Sequence, residues 1–407
     1  MKILIANIGS TSLKWRLFDF SGGDERLLHK GGFERVTDYG RAIDDCLRAL
    51  MEGGHLANEE DLAGVGFKTV VAHGISGCVR LDETVLEAMA VYNSIAPAHN
   101  PPYILGIKLF IKRMPKVPLV GLFETAFYQW ATPASVRYAV PERWYEAGVR
   151  RWGFHGASHK FIAERSAQLL GRVDVADRAR ALYAIGLGSP VAGPDLRVIS
   201  CHLGGSSSIT GIRNGVAIGN SLGLSPQSGL PHNNRVGDLD AFAIPFVMRR
   251  LGLSLDDVER QMCQDSGLKG ISGVSNDLRD IQEAASQGNV RAQLAQDVFV
   301  HAARHWMGAF MVELGGVDAL VFTAGIGENR AEIREAICAG LEGFGVRLDL
   351  EKNRLTRAME AVVSTEDSPA KVMVIPANEE LVVAREVSRY LERTGGGIEN
   401  GGKEQSE

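Results

Sequence analysis

The sequence lacks the features that mark secreted, zinc-stabilised and membrane proteins. Its five cysteines are scattered over 407 residues without a CxxC pair, which argues against a disulfide framework and a structural zinc site. No apolar run approaches the ~20 residues that a membrane helix needs. The first residues, MKILIANIGS, turn polar too early for a signal peptide. We therefore expect a protein of the reducing cytoplasm.

Neither sign of charge dominates, and the common nucleotide motifs are missing. The formal net charge is −5, so there is no electrostatic reason to expect nucleic acid or an anionic membrane as a partner. An anionic substrate would therefore need a local basic site. The chain has no GxxxxGK[ST] loop and no GxGxxG fingerprint, so a nucleotide must be held in another way.

Short β-type runs alternate with helix-length stretches of spaced apolar residues, which indicates an α/β protein with mixed or parallel sheets. A chain of this length is expected to form two domains. The predicted strands are 3–6, 15–20, 119–123, 198–203, 319–322 and 372–375. The clearest predicted helices are 82–92, 158–170 and 290–314.

One pattern occurs twice, half a chain apart. Segments 3–20 (ILIANIGSTSLKWRLFDF) and 198–215 (VISCHLGGSSSITGIRNG) each predict a strand, a turn of glycine and hydroxyl residues, and a second strand. Amides in such a turn can form an anion nest, and Lys14 adds a charge to the first copy. The repeat suggests a duplicated domain with ligand held between the halves, although two ordinary hairpins would look the same.

A third turn, FTAGIGEN at 322–329, follows a predicted strand and precedes a predicted helix. Small residues there would let a phosphate or a flat ligand approach the backbone. The alternative is a tight turn that needs glycine for its own geometry.

Several histidines are candidates for chemistry. His155 and His159 are four residues apart, and the neighbouring Arg150 and Arg151 make an anion-stabilising role more plausible than metal binding. His99 lies in the proline-bounded loop APAHNPP, a position more often functional than a helix surface.

An arginine and a pair of glutamates have two interpretations each. Arg235, in NNRVGDLD, suits a bidentate grip on carboxylate or phosphate, or it forms a salt bridge with Asp238 or Asp240. Glu379 and Glu380, in IPANEEL, either begin a helix as caps or hold magnesium.

Together with APAHNPP, LFETAFYQ, RWGFHGASH and SGLKGISGVSNDLRD, these blocks resemble the acetate kinase family in order and over nearly the whole chain. The resemblance implies the duplicated α/β fold of actin-like and sugar-kinase-like ATPases, with two lobes and a ligand cleft between them, and a homodimer. Lobe I is expected at 1–140 plus 375–394 and the nucleotide-binding lobe II at 141–374. The Gly-rich tail 395–407 is expected to be disordered.

The resemblance also implies an activity. This is the reversible, in-line transfer of the ATP γ-phosphoryl group to acetate or propionate, with Mg²⁺ as cofactor and ATP/ADP and a short-chain carboxylate as partners. The alternatives are a kinase for butyrate or branched short-chain acids, and a catalytically weakened nucleotide-binding regulatory module on the same fold.

The resemblance further assigns roles to residues. It gives Asn7 and Glu379 to the metal, and His155, Arg235 and Glu124 to catalysis. At the acyl group it places His99, together with Lys68 or Arg80. At ATP it places Ser10, Ser12, Lys14, His202, Gly204, Gly205, Ser206, Asp277, Leu278, Arg279, Gly325, Ile326, Gly327, Glu328 and Asn329.

Three departures from the family pattern concern the chemistry. The family has an arginine before its His-Gly-Gly, whereas this chain reads GFKTVVAHGISG, with Lys68 shifted by two residues and Arg80 as the other candidate. A family aspartate is replaced by the longer Glu124, and the Asn-Gly of HLGNG becomes Gly205-Ser206. These changes bear on turnover and acyl specificity more than on ATP binding.

Overall fold

A computed structural model describes residues 1–9, 11–22 and 25–395. Ser10 and nearly all of the tail expected to be disordered therefore lie outside the described residues. The chain divides into two compact units, Met1–Ala126 with the segment from Glu379 onward, and Phe127–Asn378.

The strands and helices alternate along both units. The strands are β1 (Lys2–Ile8), β2 (Ser12–Asp19), β3 (Arg26–Glu34), β4 (Leu62–Thr69), β5 (Cys78–Arg80), β6 (Leu119–Phe123), β7 (Arg197–His202), β8 (Ser208–Arg213), β9 (Val216–Asn220), β10 (Ala319–Thr323), β11 (Ala361–Val362) and β12 (Lys371–Val374). The α-helices are α1 (Tyr39–Glu52), α2 (Glu83–Ala90), α3 (Asn100–Arg113), α4 (Pro133–Val136), α5 (Glu142–Glu146), α6 (Gly156–Leu169), α7 (Val173–Ile185), α8 (Ala243–Leu251), α9 (Leu255–Gln264), α10 (Gly267–Ser272), α11 (Leu278–Ser286), α12 (Val290–Leu314), α13 (Ala324–Asn329), α14 (Ala331–Cys338), α15 (Leu350–Leu355) and α16 (Glu379–Thr394).

The two units have the same sheet topology. Within the described residues, each unit has a six-stranded sheet, in the order β3-β2-β1-β4-β6-β5 in the first and β9-β8-β7-β10-β12-β11 in the second. In both, three antiparallel strands are followed by two parallel strands and an antiparallel edge strand. The predicted duplicated α/β fold is therefore confirmed.

Central strands have apolar sequences because both faces of each sheet are covered. Ile3, Leu4 and Ile5 of β1 are fully buried, as are all residues of β10. Continuous apolar runs are typical of such strands, whereas a half-exposed strand alternates. The predicted helix 290–314 coincides with α12, which Asn289 caps by accepting hydrogen bonds from the N–H groups of Arg291 and Ala292.

The division between the units differs from the expected lobe boundaries. The first unit ends at residue 126 instead of 140, because Phe127 and Tyr128 pack in a core cluster of the second unit with Ile162 and Val198. The chain returns to the first unit at residue 379 instead of 375, since Ile375 belongs to the same core cluster.

None of the described helices combines the length and the apolar character that crossing a membrane requires.

Candidate active site

In the first unit, one lysine joins two carboxylates at the ends of neighbouring elements. Lys68, next to last in β4, places its Nζ 3.0 Å from Glu124 Oε1 and 2.9 Å from Glu379 Oε2. Glu124 follows β6, where its N–H donates to the carbonyl of Thr69, and Glu379 is the first residue of α16. Parallel strands and the following helix therefore bring together residues that are distant in the chain.

This cluster is largely removed from solvent. The Glu124 side chain is only 5% exposed, and those of Lys68 and Glu379 are mostly buried. Burial disfavours the charged ammonium, but the carboxylates of Glu124 and Glu379 raise the pKa of Lys68 well above its usual value. Lys68 is therefore a permanent cation at neutral pH.

Asn7 lies beside a buried tyrosine in the same unit. The Tyr103 hydroxyl donates to Asn7 Oδ1 at 2.8 Å, and burial raises the pKa of Tyr103 above its usual range. Lys14, on the strand that follows the first turn, is exposed, and its ammonium forms an ion pair with Glu34 at 2.9 Å. The turn itself is closed by the Gly9 N–H, which donates to the Ser12 carbonyl.

In the second unit, histidines and serines form a connected network. Ser208 Oγ lies 2.8 Å from both His155 Nδ1 and His159 Nε2, and His159 Nδ1 lies 2.8 Å from Ser200 Oγ. The His202 ring stacks on that of His155 with centroids 4.0 Å apart. Burial, reinforced by His202, lowers the pKa of His159 well below its usual value, so His159 is neutral.

Local backbone geometry presents His155 at the start of α6. His155 has φ 57°, a left-handed conformation that is uncommon for residues other than glycine and often found at functional sites. The carbonyl of the preceding Phe154 accepts a hydrogen bond from the Tyr128 hydroxyl at 2.7 Å. Gly153 lies against the Tyr128 ring so closely that a Cβ would come within 2.5 Å of it, so a side chain there would displace the His155 loop.

Arg235 is buried, and no carboxylate among the described residues forms an ion pair with it. Its side chain is 7% exposed, and Nη1 donates to the Pro226 carbonyl at 2.7 Å. Within the described chain it forms no ion pair with Asp238 or Asp240, so the salt-bridge interpretation is wrong. Burial lowers the pKa of Arg235 to about 10, which still leaves it charged at neutral pH.

A fully buried histidine links the Arg235 loop to the second turn. His232 Nδ1 accepts from the Ser207 N–H at 3.0 Å, and Nε2 is 3.0 Å from the Ser228 carbonyl. Both contacts require the neutral tautomer with hydrogen on Nε2. Gly267, at φ 59°, packs against this loop so closely that a Cβ would lie 2.1 Å from the His232 carbonyl oxygen.

Next to this turn is a cavity of about 470 Å³. Its lining residues are Gly204, Gly205, Asn233, Asp277, Leu278, Arg279, Gly325, Ile326, Asn329, Arg330 and Arg357. Three arginines and a single carboxylate make the wall positive, which suits an anionic ligand. Hydrogen bonds from Arg279 lower the pKa of Asp277 to about 2, so this carboxylate stays ionised.

Comparisons with known proteins agree with this architecture. A family model described as the Acetokinase family matches residues 32–385. An acetate kinase from Alkaliphilus metalliredigens is 39% identical over 418 residues, covering 96% of this chain and 100% of that protein. The chain belongs to the acetokinase family.

Solved structures of acetate and propionate kinases have the same fold over their whole length. The crystal structure of Porphyromonas gingivalis acetate kinase is similar with a TM-score of 0.81 at 32% identity, covering 96% of this chain and 99% of that one. A propionate kinase from Francisella tularensis is similar with a TM-score of 0.80 at 30% identity, covering 95% and 98%.

The residues that the acetokinase resemblance assigned fall into separate groups in this chain. Eight of the predicted ATP contacts line the cavity, whereas His202, Ser206, Gly327 and Glu328 lie outside its lining. Glu328 has a structural contact, since its Oε1 accepts from the N–H groups of Ala324 and Ala377. The segment 324–329, expected to be an irregular turn, is the short helix α13.

The two candidates for the acyl-binding base differ in their surroundings. Lys68 contacts both carboxylates, whereas Arg80 ends the edge strand β5 and forms no ion pair with any residue that the structure describes. His99 is half-buried and immediately precedes α3.

Some residues of these clusters were not predicted. Tyr103, Ser200, Ser208 and His232 touch or support predicted residues, and Asn233, Arg330 and Arg357 complete the cavity. Ser200 and Ser208 lie in the second copy of the repeated segment, and Asn233 lies in the NNRVGDLD loop of Arg235, so the sequence carried a signal for these three. The others contact the clusters through tertiary packing alone.

Proposed function

We propose that this protein is an ATP-dependent kinase that phosphorylates acetate or propionate, reversibly, to the acyl phosphate. The observation that carries the proposal is the positive cavity of the second unit, since most of its lining coincides with residues assigned to ATP. Similarity to acetate kinases and to a propionate kinase supports a small carboxylate as the acceptor.

The reaction needs no covalent intermediate on the protein. A carboxylate oxygen of the acid attacks the γ-phosphorus, the new P–O bond forms as the bond to the β–γ bridging oxygen breaks, and ADP leaves with that electron pair. Such a transfer is accelerated mainly by positioning and by neutralising charge on the phosphoryl oxygens.

The second unit supplies side chains suited to that charge. Arg235 is a buried cation that forms no ion pair within the described part of the chain, so its charge is available to an anionic group. His155 Nδ1 lies 2.8 Å from Ser208 Oγ, a contact that fixes the orientation of the ring, and the imidazole would stabilise charge on the phosphoryl group. Because His159 is neutral, Ser208 can either donate to His155 or accept from it, which accommodates both protonation states of His155.

The first unit supplies oxygen ligands of the kind that Mg²⁺ prefers. The amide oxygen of Asn7 and the carboxylates of Glu379 and Glu124 fit a hard divalent cation by their chemistry, and Tyr103 orients the amide. When bound, Mg²⁺ would neutralise phosphate charge. Lys68, already charged, would pair with the acyl carboxylate.

Two further expectations belong to this proposal. A homodimer is supported by α8, in which no described residue is buried and Phe246 is 64% exposed, and by Phe242, which directly precedes this helix and is 82% exposed. A double Phe242→Asp and Phe246→Asp variant should then elute as a monomer in light-scattering chromatography.

A cytoplasmic location is supported by the five free thiols.

Hydroxylamine trapping tests the activity directly. The full chain is incubated with ATP, Mg²⁺ and each unbranched acid from two to five carbons, and acyl hydroxamate is measured. We expect the highest kcat/KM with acetate or propionate and a decline with longer acids. No hydroxamate with any acid, from protein that binds ATP, would overturn the proposal.

A further inference from the structure

The Lys68 ammonium lies where two proposed metal-side carboxylates converge. Its distances of 2.9 and 3.0 Å to Glu379 and Glu124 are those of charge-assisted hydrogen bonds. Glu124 is buried and Glu379 is mostly buried, and an uncompensated buried charge is strongly unfavourable. In this structure Lys68 therefore already provides the neutralisation that a bound cation would provide.

Lys68 and a divalent cation cannot both keep these contacts at full strength. Direct coordination of Mg²⁺ brings a carboxylate oxygen to ~2.1 Å from the metal. The metal and the Lys68 ammonium would then both contact the same carboxylate. Like charges at such distances repel strongly in a partly buried site. One of them must therefore move away.

The side chain that can move is the lysine. A lysine is a point charge on a flexible four-carbon stem, whereas an arginine fork is rigid and binds a carboxylate through two fixed donors. The Lys68 side chain is 20% exposed, so it is not enclosed on every side. The lysine is also one of the two candidates, with Arg80, for the arginine of the family pattern.

We propose that Lys68 is an exchangeable internal cation. It holds Glu124 and Glu379 together in the absence of metal, and it leaves Glu379 when a divalent cation binds there. The ammonium that is released then becomes available to the substrate carboxylate, so that metal binding precedes productive acid binding. The inference rests on the proposed function for its account of Glu379 as a metal ligand.

Mn²⁺ binding to the full-length protein tests the exchange without turnover. Free Mn²⁺ is measured by electron paramagnetic resonance, with neither nucleotide nor acid present, for wild type, Lys68→Met and Lys108→Met. Lys108 forms an exposed ion pair with Glu83 in the same unit and is the matched control for the loss of one charge.

We expect Lys68→Met to bind Mn²⁺ at least about tenfold more tightly than wild type, because the competing ammonium is gone. Lys108→Met should bind as wild type does, and adding Glu379→Gln to Lys68→Met should abolish the gain. Equal or weaker binding by Lys68→Met, or no binding by either protein, would overturn the proposal.

Thermal unfolding provides a second measurement if Lys68→Met is poorly stable. Loss of the ammonium beside Glu124 and Glu379 should lower Tm in the absence of metal, and Mg²⁺ should raise Tm more than it does for wild type, because a ligand of the folded state stabilises it. An Mg²⁺-induced shift no larger than that of wild type would contradict the exchange. Absence of acyl phosphate formation by wild type would overturn only the proposed function, since neither binding experiment uses substrate.

Discussion

The two units place different chemistry on the same strand topology. In the first unit Asn7 of β1 faces Lys14 of β2, and in the second unit His202 of β7 faces Ser208 of β8. The His202–Ser208 pair is the last before its turn, whereas the Ile8–Leu13 pair lies between the Asn7–Lys14 pair and its turn. Both pairs therefore lie near the turn between the first two strands. The duplicated backbone therefore fixes where side chains are presented, and leaves their chemistry to be chosen separately in each unit.

The units also differ in how they tolerate polar groups in their interiors. The first unit balances two buried carboxylates with the Lys68 ammonium. The second keeps His159 neutral between Ser200 and Ser208, and buries Arg235 with no ion pair to any carboxylate among the described residues. The proposed exchange of cations is therefore located in the compensated cluster, and the proposed contact with an incoming anion at Arg235.

The largest effect is expected when Arg235, the buried cation of the second unit, is replaced. Arg235→Ala should lower kcat by ~10³-fold or more, since an arginine aimed at the transferring phosphoryl group acts mainly in the transition state. ATP affinity, measured by fluorescence titration, should change far less. The control is Arg354→Ala, an exposed arginine of α15. Normal turnover by the folded Arg235 variant would exclude Arg235 from the mechanism.

The compensated cluster is tested by shortening one of its acids. Glu124→Asp withdraws the carboxylate by one methylene, so the 3.0 Å contact with Lys68 is lost or the lysine shifts. We expect kcat on acetate to fall by up to ~10²-fold, the cost of misplacing a group by about an ångström. A rise in kcat would mean that the site prefers the family aspartate, and no change would place Glu124 away from the chemistry.

The neutral network predicts a pH dependence of stability. Burial lowers the pKa of His159 in the folded state, so only the unfolded state takes up this proton as pH falls below ~6.5. Stability should therefore decrease as pH falls, by up to ~1.4 kcal/mol per pH unit for this group. The free energy of unfolding in urea, measured between pH 7.5 and 5, should depend less steeply on pH for His159→Asn than for wild type.

Exposed His301 of α12 provides the control for that measurement, since His301→Asn should leave the slope unchanged. An identical slope for wild type and His159→Asn would mean that His159 takes up its proton equally in the folded and unfolded states.

The smallest effect is expected at the exposed ion pair of the first turn. Glu34→Gln removes the partner of Lys14, and exposed pairs contribute little to stability. The free energy of unfolding in urea should change by less than ~0.5 kcal/mol. ATP affinity should be kept or increased, because Lys14 loses a competing carboxylate. A large loss of stability would show that this pair resembles the buried cluster after all.

Local patterns in the sequence predicted the strands and turns whose formation depends on neighbouring residues. The two strand-turn-strand repeats at 3–20 and 198–215 correspond to β1–β2 and β7–β8, and both are cores of equivalent sheets. The strand β3 was not predicted because its sequence, RLLHKGGFE, mixes charge with apolar residues and is only partly buried. The two-residue edge strand β11 is too short to leave a pattern.

The site was less predictable because its contacts are long-range. Lys68 and Glu379 are 311 residues apart, so nothing in the sequence indicated that they touch. The two-residue shift of Lys68 from the family arginine left Arg80 as an equal candidate. The flexible Lys68 side chain reaches the carboxylates from the end of β4. Spacing in the sequence predicts where the backbone of Lys68 lies, but not which groups its side chain contacts.

The placement of α16 has a consequence for how the protein is made. Residues 1–126 are synthesised before α16, yet their sheet is covered by this helix, which packs on β1, β4 and β6. At ~5–20 residues per second the first unit waits roughly 10–50 s for this helix, while the uninterrupted second unit can complete itself. Because α16 begins with Glu379, a nascent chain cannot assemble the carboxylate cluster before residue 379 has been synthesised.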